Sequence, residues 1–292
     1  MAIICAYSAH SLNISQSFQK EKLVMKNFVS QSIVKFSILF SIIFCSPSSV
    51  YATGVLDPAF GTNGRVTTSI GDYARAAAVV IQPDGKIVVV GSVNQNSTDT
   101  DPVIVRYNSD GSLDTSFGNG GIVRTPISPN RDYFLAAALQ PDGKIIAVGS
   151  TRPLATSNDD FLAVRYNQNG TLDASFGTNG IVTMNRGSSN SVAVQSDGKI
   201  VVAERGSSVF RLNADDGSVD KSFADNGFLS YNYELPCSDC NSHAGSGHSK
   251  VVILPNGRIL VFIARQPAPG GFAAVPTIRI SGFNLASLPT FL

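Results

Sequence analysis

Histidine is almost missing from this chain: His10, His243 and His248 are the only three. A serine nucleophile that needs an imidazole base therefore has two neighbouring loop residues and the extreme N-terminus to draw on. The HExxH helix of zinc proteases, the GxSxG elbow of hydrolases and a phosphate-binding glycine loop are also missing. Only 15% of residues are charged, and the formal net charge is +1. Beyond residue 52 there are 18 Lys+Arg against 20 Asp+Glu. That balance gives no electrostatic footprint for nucleic acid or for an anionic membrane. No apolar run is long enough to span a bilayer as a helix; the longest candidate, Phe36–Phe44, is far too short.

That short run has another use. Lys26 and Lys35 flank its N-terminal side, and "SPSSVYA" follows it, ending at Ala52. Basic region, apolar core and small residues before a cleavage point make residues 1–52 a Sec signal peptide cut after Ala52, with Met25 as an alternative start. A lipid anchor at Cys45 is disfavoured by the bulky Phe44 before it. Export to the periplasm, the cell surface or the medium is the expectation. Cys5 and Cys45 would leave with the leader, so only Cys237 and Cys240 remain.

The rest, residues 53–292, is repetitive. "LDPAFGTNG" (56–64), "LDTSFGNGG" (113–121), "LDASFGTNG" (172–180) and "VDKSFADNG" (219–227) share one pattern. "QPDGKI" occurs at 82–87 and 140–145, "QSDGKI" at 195–200 and "LPNGRI" at 254–259. "VRYNSDG", "VRYNQNG" and "FRLNADDG" follow at 105–111, 164–170 and 210–217. Three landmarks recurring in fixed order define units of about 56–112, 113–171, 172–218 and 219–292. Each unit reads as four short strands. The Pro-Asp-Gly segment supplies a hairpin turn, with Pro83 presetting φ and Gly85 taking the left-handed position. Ile87–Val90 is apolar at successive positions, the mark of a strand covered on both faces. Four antiparallel strands per unit, sandwiched between neighbours, predict an all-β β-propeller of about four four-stranded blades. The alanine runs 76–78 and 136–138 suit strands beside a crowded axis. Residues 56–69 supply a corner and an outer strand before any inner strands. They could complete the last blade and fasten the ring; an incomplete ring or arc, or a ring completed by a second copy, is the alternative.

In "LDTSFGNGG", Leu113 and Phe117 read as apolar plugs buried between blades, Asp114 as a turn cap, and Gly118, Gly120 and Gly121 as backbone pivots. A calcium loop on Asn108, Asp110 and Asp114 is the weaker reading, because the next unit offers Asn167, Asn169 and Asp173 and so loses a carboxylate. The repeated Arg106, Arg165, Arg211 and Arg279 read as partners of corner carboxylates such as Asp114 and Asp173, in interblade ion pairs, rather than as an anion-gripping ring.

These landmarks resemble the delta-60 repeat family of bacterial proteins, whose units take the form "LDxSFGxxG…QPDGKIVVxG…xRYNxDGS". The match is strong over residues 56–227. The resemblance implies a β-propeller in an exported or cell-surface protein and brings no catalytic residues.

One stretch lies outside the repeat pattern: "CSDCNSHAGSGH", with Cys237, Cys240, His243 and His248. Two thiols and two imidazoles at this spacing could hold zinc. In an exported chain a Cys237–Cys240 disulfide is the favoured reading. No other cofactor is expected. The sequence reading of function is a structural or interaction scaffold that holds an envelope protein or a polysaccharide on the loops 94–101, 152–160 and 235–248. The alternative is a carbohydrate- or peptide-acting enzyme using loop carboxylates, with Asp72, Asp132, Asp159 and Asp160 as candidates.

Overall fold

A computed structural model describes residues 54–94, 99–153, 158–205, 208–230, 248–264 and 277–281. All its regular structure is antiparallel β-sheet. Sheet one contains β1 (Ala74–Ile81), β2 (Ile87–Asn94), β3 (Thr100–Tyr107) and β4 (Ile122–Arg124), in that order. Sheet two contains β5 (Tyr133–Leu139), β6 (Ile145–Thr151), β7 (Asp160–Tyr166) and β8 (Ile181–Met184). Sheet three contains β9 (Ser189–Val194), β10 (Ile200–Glu204), β11 (Ser208–Leu212) and β12 (Phe228–Ser230). Sheet four has three strands among the described residues: β13 (His248–Ile253), β14 (Ile259–Ala264) and β15 (Thr277–Ser281). The first strands of the sheets neighbour one another, β1 beside β5, β5 beside β9 and β9 beside β13. The sheets are therefore blades with their first strands innermost, and the fold is a β-propeller left open as an arc.

Each hairpin between first and second strands closes as the sequence dictates. The Gly85 amide bonds the Gln82 carbonyl, the Asp84 carboxylate accepts from the Lys86 amide, and Gly85 has φ +83°. The glycine within the second strand, Gly91 or Gly149, answers to close approach rather than to φ. A bulge in the first strand brings a carbonyl so near that a Cβ on Gly91 would lie 1.9 Å from the Arg75 oxygen, and on Gly149 2.0 Å from that of Tyr133.

The continuous apolar strands are buried on both sides, as their pattern requires. β6 and β7 are buried along their whole lengths. Alternate residues serve opposite interfaces. Val88, Val90 and Ile104 of the first blade pack on Ile145, Leu162 and Tyr166 of the second. Ile146, Val148 and Phe161 of the second pack on Ile200, Val202 and Phe210 of the third. Val201 and Val209 then pack on Val251, Ile259 and Val261 of the fourth. Each such side chain contributes about 2 kcal/mol by leaving water, and none can do so within its own blade.

The corners bind the blades together. Phe117 belongs to the first blade, yet its ring lies under Gly170 of the second, where a Cβ would sit 3.0 Å from it. Phe176 lies likewise under Gly217 of the third blade. Gly118 donates to the Asn169 carbonyl and Gly177 to that of Asp216. Phe117 and Phe176 are fully buried, but the corner leucines are not: Leu113 is half-buried and Leu172 exposed. The plug is the phenylalanine alone, because the leucine sits at the rim of its own blade.

Residues 56–69 do not form the fourth strand of the last blade within this protomer. Their corner docks on the first blade: Gly61 donates to the Asp110 carbonyl, and the Tyr107 hydroxyl to Thr68 Oγ1 at 2.7 Å.

Candidate functional site

The repeated arginines form the most regular polar feature of the molecule. Arg106, Arg165 and Arg211 lie opposite Val88, Ile146 and Val201 in the ladders. Each meets the carboxylate of its corner at 2.7 Å: Asp114, Asp173 and Asp220. These pairs lie within one blade rather than between blades, since strand and corner belong to the same sheet. The guanidinium nevertheless reaches across. Arg106 donates to the Gln168 carbonyl of the second blade, and Arg165 to the Ala214 and Asp215 carbonyls of the third. Each also covers its corner ring, with 4.4 Å from Arg106 to the Phe117 centroid, 4.5 Å for Arg165 and Phe176, and 4.9 Å for Arg211 and Phe223. A lysine from the Gly-Lys landmark completes the set: Lys86 to Asp114 at 3.1 Å, Lys144 to Asp173 at 3.1 Å and Lys199 to Asp220 at 2.8 Å. Arg279 departs from this pattern. It lies opposite Val261, while Ile280, opposite Leu260, takes the arginine register.

The carboxylates are strongly acidic. Burial, the largest single influence on Asp173, opposes its ionisation. Hydrogen bonds from Ser175 and Lys144 and the charge of Arg165 together outweigh it, and the pKa falls to about 2. Asp114 and Asp220 are lowered in the same sense, again against burial, by Ser116 with Lys86 and by Lys199 with Ser222. Lys144 is raised, chiefly by its hydrogen bond to Asp173. An acid whose folded pKa lies below its unfolded value of about 3.9 stabilises the fold above that pH and stops doing so as pH falls through the folded value. Denaturant midpoints measured from pH 6 to pH 2 are expected to fall below about pH 4. Asp173→Asn should flatten part of that fall, and an unchanged profile in the variant would contradict the assignment.

The calcium reading of the neighbouring turn gives way to turn chemistry. Asp110 accepts from both the amide and the hydroxyl of Ser112, and Asn169 takes the same place beside Thr171. Among the described residues there is no group of three acids, histidines or cysteines able to hold a metal. Cys237, Cys240 and His243 lie outside the described residues, and His248 opens β13 opposite Ala264.

The other end of the blades carries the candidate loops. Asp72 is exposed there. Asp132 is fully buried and accepts from Ser128 N at 2.5 Å, Ser128 Oγ at 2.8 Å, Thr151 Oγ1 at 2.7 Å and Arg152 N at 3.3 Å. Asp159 is gripped by the Arg152 guanidinium at 2.6 and 2.8 Å and receives the Tyr133 hydroxyl at 3.0 Å. Asp160 lies opposite Thr151 in the ladder and is buried. The sequence reading missed two further buried acids at this end. Asp101, the repeat counterpart of Asp160, pairs with Arg124 at 2.7 Å, and Glu204 pairs with Arg186 at 2.5 Å. Burial raises the Asp101 carboxyl, Asp99 and Asp132 raise it further, and Arg124 acts against them. The common position of Asp101 and Asp160, at the start of the third strand of each unit, was the available signal.

A shallow depression of about 300 Å³ opens instead at the hairpin end, lined by Asp197, Lys199, Asn213, Ala214, Asp215 and Asp216. Two of its three acids are engaged in turns: Asp197 accepts from the Lys199 amide and Asp216 from Ser218.

Fold and corners together define a β-propeller repeat protein. Residues 82–117, 140–176 and 195–223 match the family model described as a domain of unknown function (DUF5122) beta-propeller. Each matched stretch runs from a hairpin turn to a corner phenylalanine. No curated protein matches the chain. Among solved structures, a protein of unknown function from Dyadobacter fermentans DSM 18053 aligns over 70% of this chain at 17% identity and a TM-score of 0.44. The chain covers 52% of that protein, about half its length. An endo-arabinase from Bacteroides thetaiotaomicron VPI-5482 aligns over 72% of this chain and 75% of its own, at 14% identity and a TM-score of 0.34.

Proposed function

We propose that the chain is an exported scaffold whose loop end, built from residues 94–101, 152–160 and 235–248, binds an envelope polysaccharide or envelope protein. The observation that carries this reading is that four of the loop-end acids are engaged by their own chain, while Asp72 and Asp160 are not counted among them. Asp132, Asp159, Asp101 and Glu204 each receive donors from their own chain. A general base must be able to take a proton from substrate, and carboxylates already holding guanidinium and hydroxyl donors serve as loop fasteners instead. Residues 1–52 supply the export signal in this reading, and Cys237 with Cys240 forms a disulfide that shapes the third loop. A Cys237–Cys240 disulfide in the mass spectrum is the expected result; stoichiometric zinc that is lost in Cys240→Ser contradicts it.

Binding is tested by titrating the purified protein with bacterial envelope polysaccharides and with isolated envelope proteins. Saturable binding should disappear when residues 153–158 are replaced by a Gly-Ser linker, with the circular dichroism spectrum retained. No loop-dependent binding to either class contradicts the reading, and so does release of new reducing ends from a polysaccharide.

A further inference from the structure

The two ends of the arc are complementary. In the second blade, Ala137 and Leu139 pack against the first blade, and Ile145, Leu162 and Val164 are fully buried beneath it. At the same register positions of the first blade, Val103 and Val105 are buried beside Ile70, but Val79 and Ile81 have no described blade in front of them. Val79 and Ile81 are 60% and 68% exposed. At the far end the opposite face is bare. Val88 and Val90 are fully buried under the second blade, yet their counterparts Leu260 and Phe262 in the fourth are only partly buried, and Val252 is 44% exposed.

The N-terminal corner specifies what belongs at the first gap. The Gly61 amide bonds the Asp110 carbonyl as Gly118 bonds Asn169 and Gly177 bonds Asp216. Thr68 meets the Tyr107 hydroxyl as Thr125 meets that of Tyr166. Residues 57–68 thus hold the place of the corner and outer strand of a blade that would precede the first. Among the described residues that blade has no inner strands, and the fourth blade has no outer one. Among the described residues Val79, Ile81 and Val252 stay exposed within one protomer, so the four blades do not bring the two faces together.

We propose that a second copy of this chain fills the gap. Its β13–β15 sheet packs on Val79 and Ile81, and Val66–Thr68 adds to the edge of its β15 as the fourth strand. A head-to-tail contact made twice about a two-fold axis closes a ring, and two fourfold sets of blades give eight, within the range of about four to eight that propellers use. This inference is independent of what the loops bind.

Light scattering of the purified chain at micromolar concentration tests it, and the expected mass is that of a dimer. Val79→Glu with Ile81→Glu alters only side chains exposed in the protomer, so circular dichroism should be retained while association weakens by roughly 100-fold. Val66→Pro removes a strand donor and should weaken the dimer as well. A monomer at all concentrations overturns the proposal. So does a mass that climbs past the dimer with concentration, or a dimer indifferent to both variants.

Discussion

Replacing Arg165 by methionine is expected to cost about 3–5 kcal/mol of unfolding free energy, a fall of roughly 6–20 °C in melting temperature. The side chain is only 2% exposed and does three things at once. It neutralises Asp173 at 2.7 Å, binds the Ala214 and Asp215 carbonyls of the next blade, and covers the Phe176 ring. Methionine keeps the volume and most of the ring contact. It leaves a buried carboxylate without its guanidinium and two carbonyls without a donor, which is where the penalty arises. Arg165→Lys should recover little, because one ammonium cannot reach a carboxylate and two carbonyls in the fork geometry of a guanidinium. Urea unfolding of the three proteins decides the matter. A loss below about 1 kcal/mol in the methionine variant would mean that the second and third blades are held by apolar packing alone.

Asp132→Ala should have the next largest effect, about 2–4 kcal/mol, because five donors then face an apolar methyl group in a fully buried site. The carboxylate joins the turn at Ile127–Asn130 to the end of β6 through Ser128, Thr151 and Arg152. The loss should therefore appear first as faster hydrogen exchange at those amides. Asp132→Asn keeps the shape but turns one acceptor into a donor, so an intermediate loss is expected. The enzyme alternative makes the opposite demand: it requires a variant that stays stable and loses a hydrolytic activity.

Much of this was readable before any coordinates, for identifiable reasons. The Pro-Asp-Gly turns and corner glycines are set by local φ requirements, which a short stretch of sequence encodes in full. The unbroken apolar run Ile87–Val90 predicts doubly covered strands; β6, β7, β10 and β11 meet that expectation, whereas in β2 itself Ile87 and Val89 stay half-buried because no described blade stands in front of them. The Arg–Asp pairing followed from recurrence of both residues with the scaffold. Less legible was whatever depends on the next blade. The carbonyls that receive Arg165 belong to a turn 49 and 50 residues away in sequence. Lys86, Lys144 and Lys199 stood in plain view in the repeated turn, but their distance to a corner aspartate depends on how the sheet folds back. Arg279 shows the limit from the other side: its spacing imitates the pattern, and the pairing of β14 with β15 moves it one residue out of register. Asp132 stood among the candidate loop acids, but its role as a buried fastener was not legible, because its donors come both from the loop joining the first two blades and from the end of β6.

The central claim is that each blade's strands are buried only by its neighbours. Native-state hydrogen exchange tests it most directly. The amides of β6, β7, β10 and β11 should exchange through one cooperative opening, with a single free energy close to that of global unfolding. Two separate free energies, one for the second blade and one for the third, that respond independently to denaturant would contradict it.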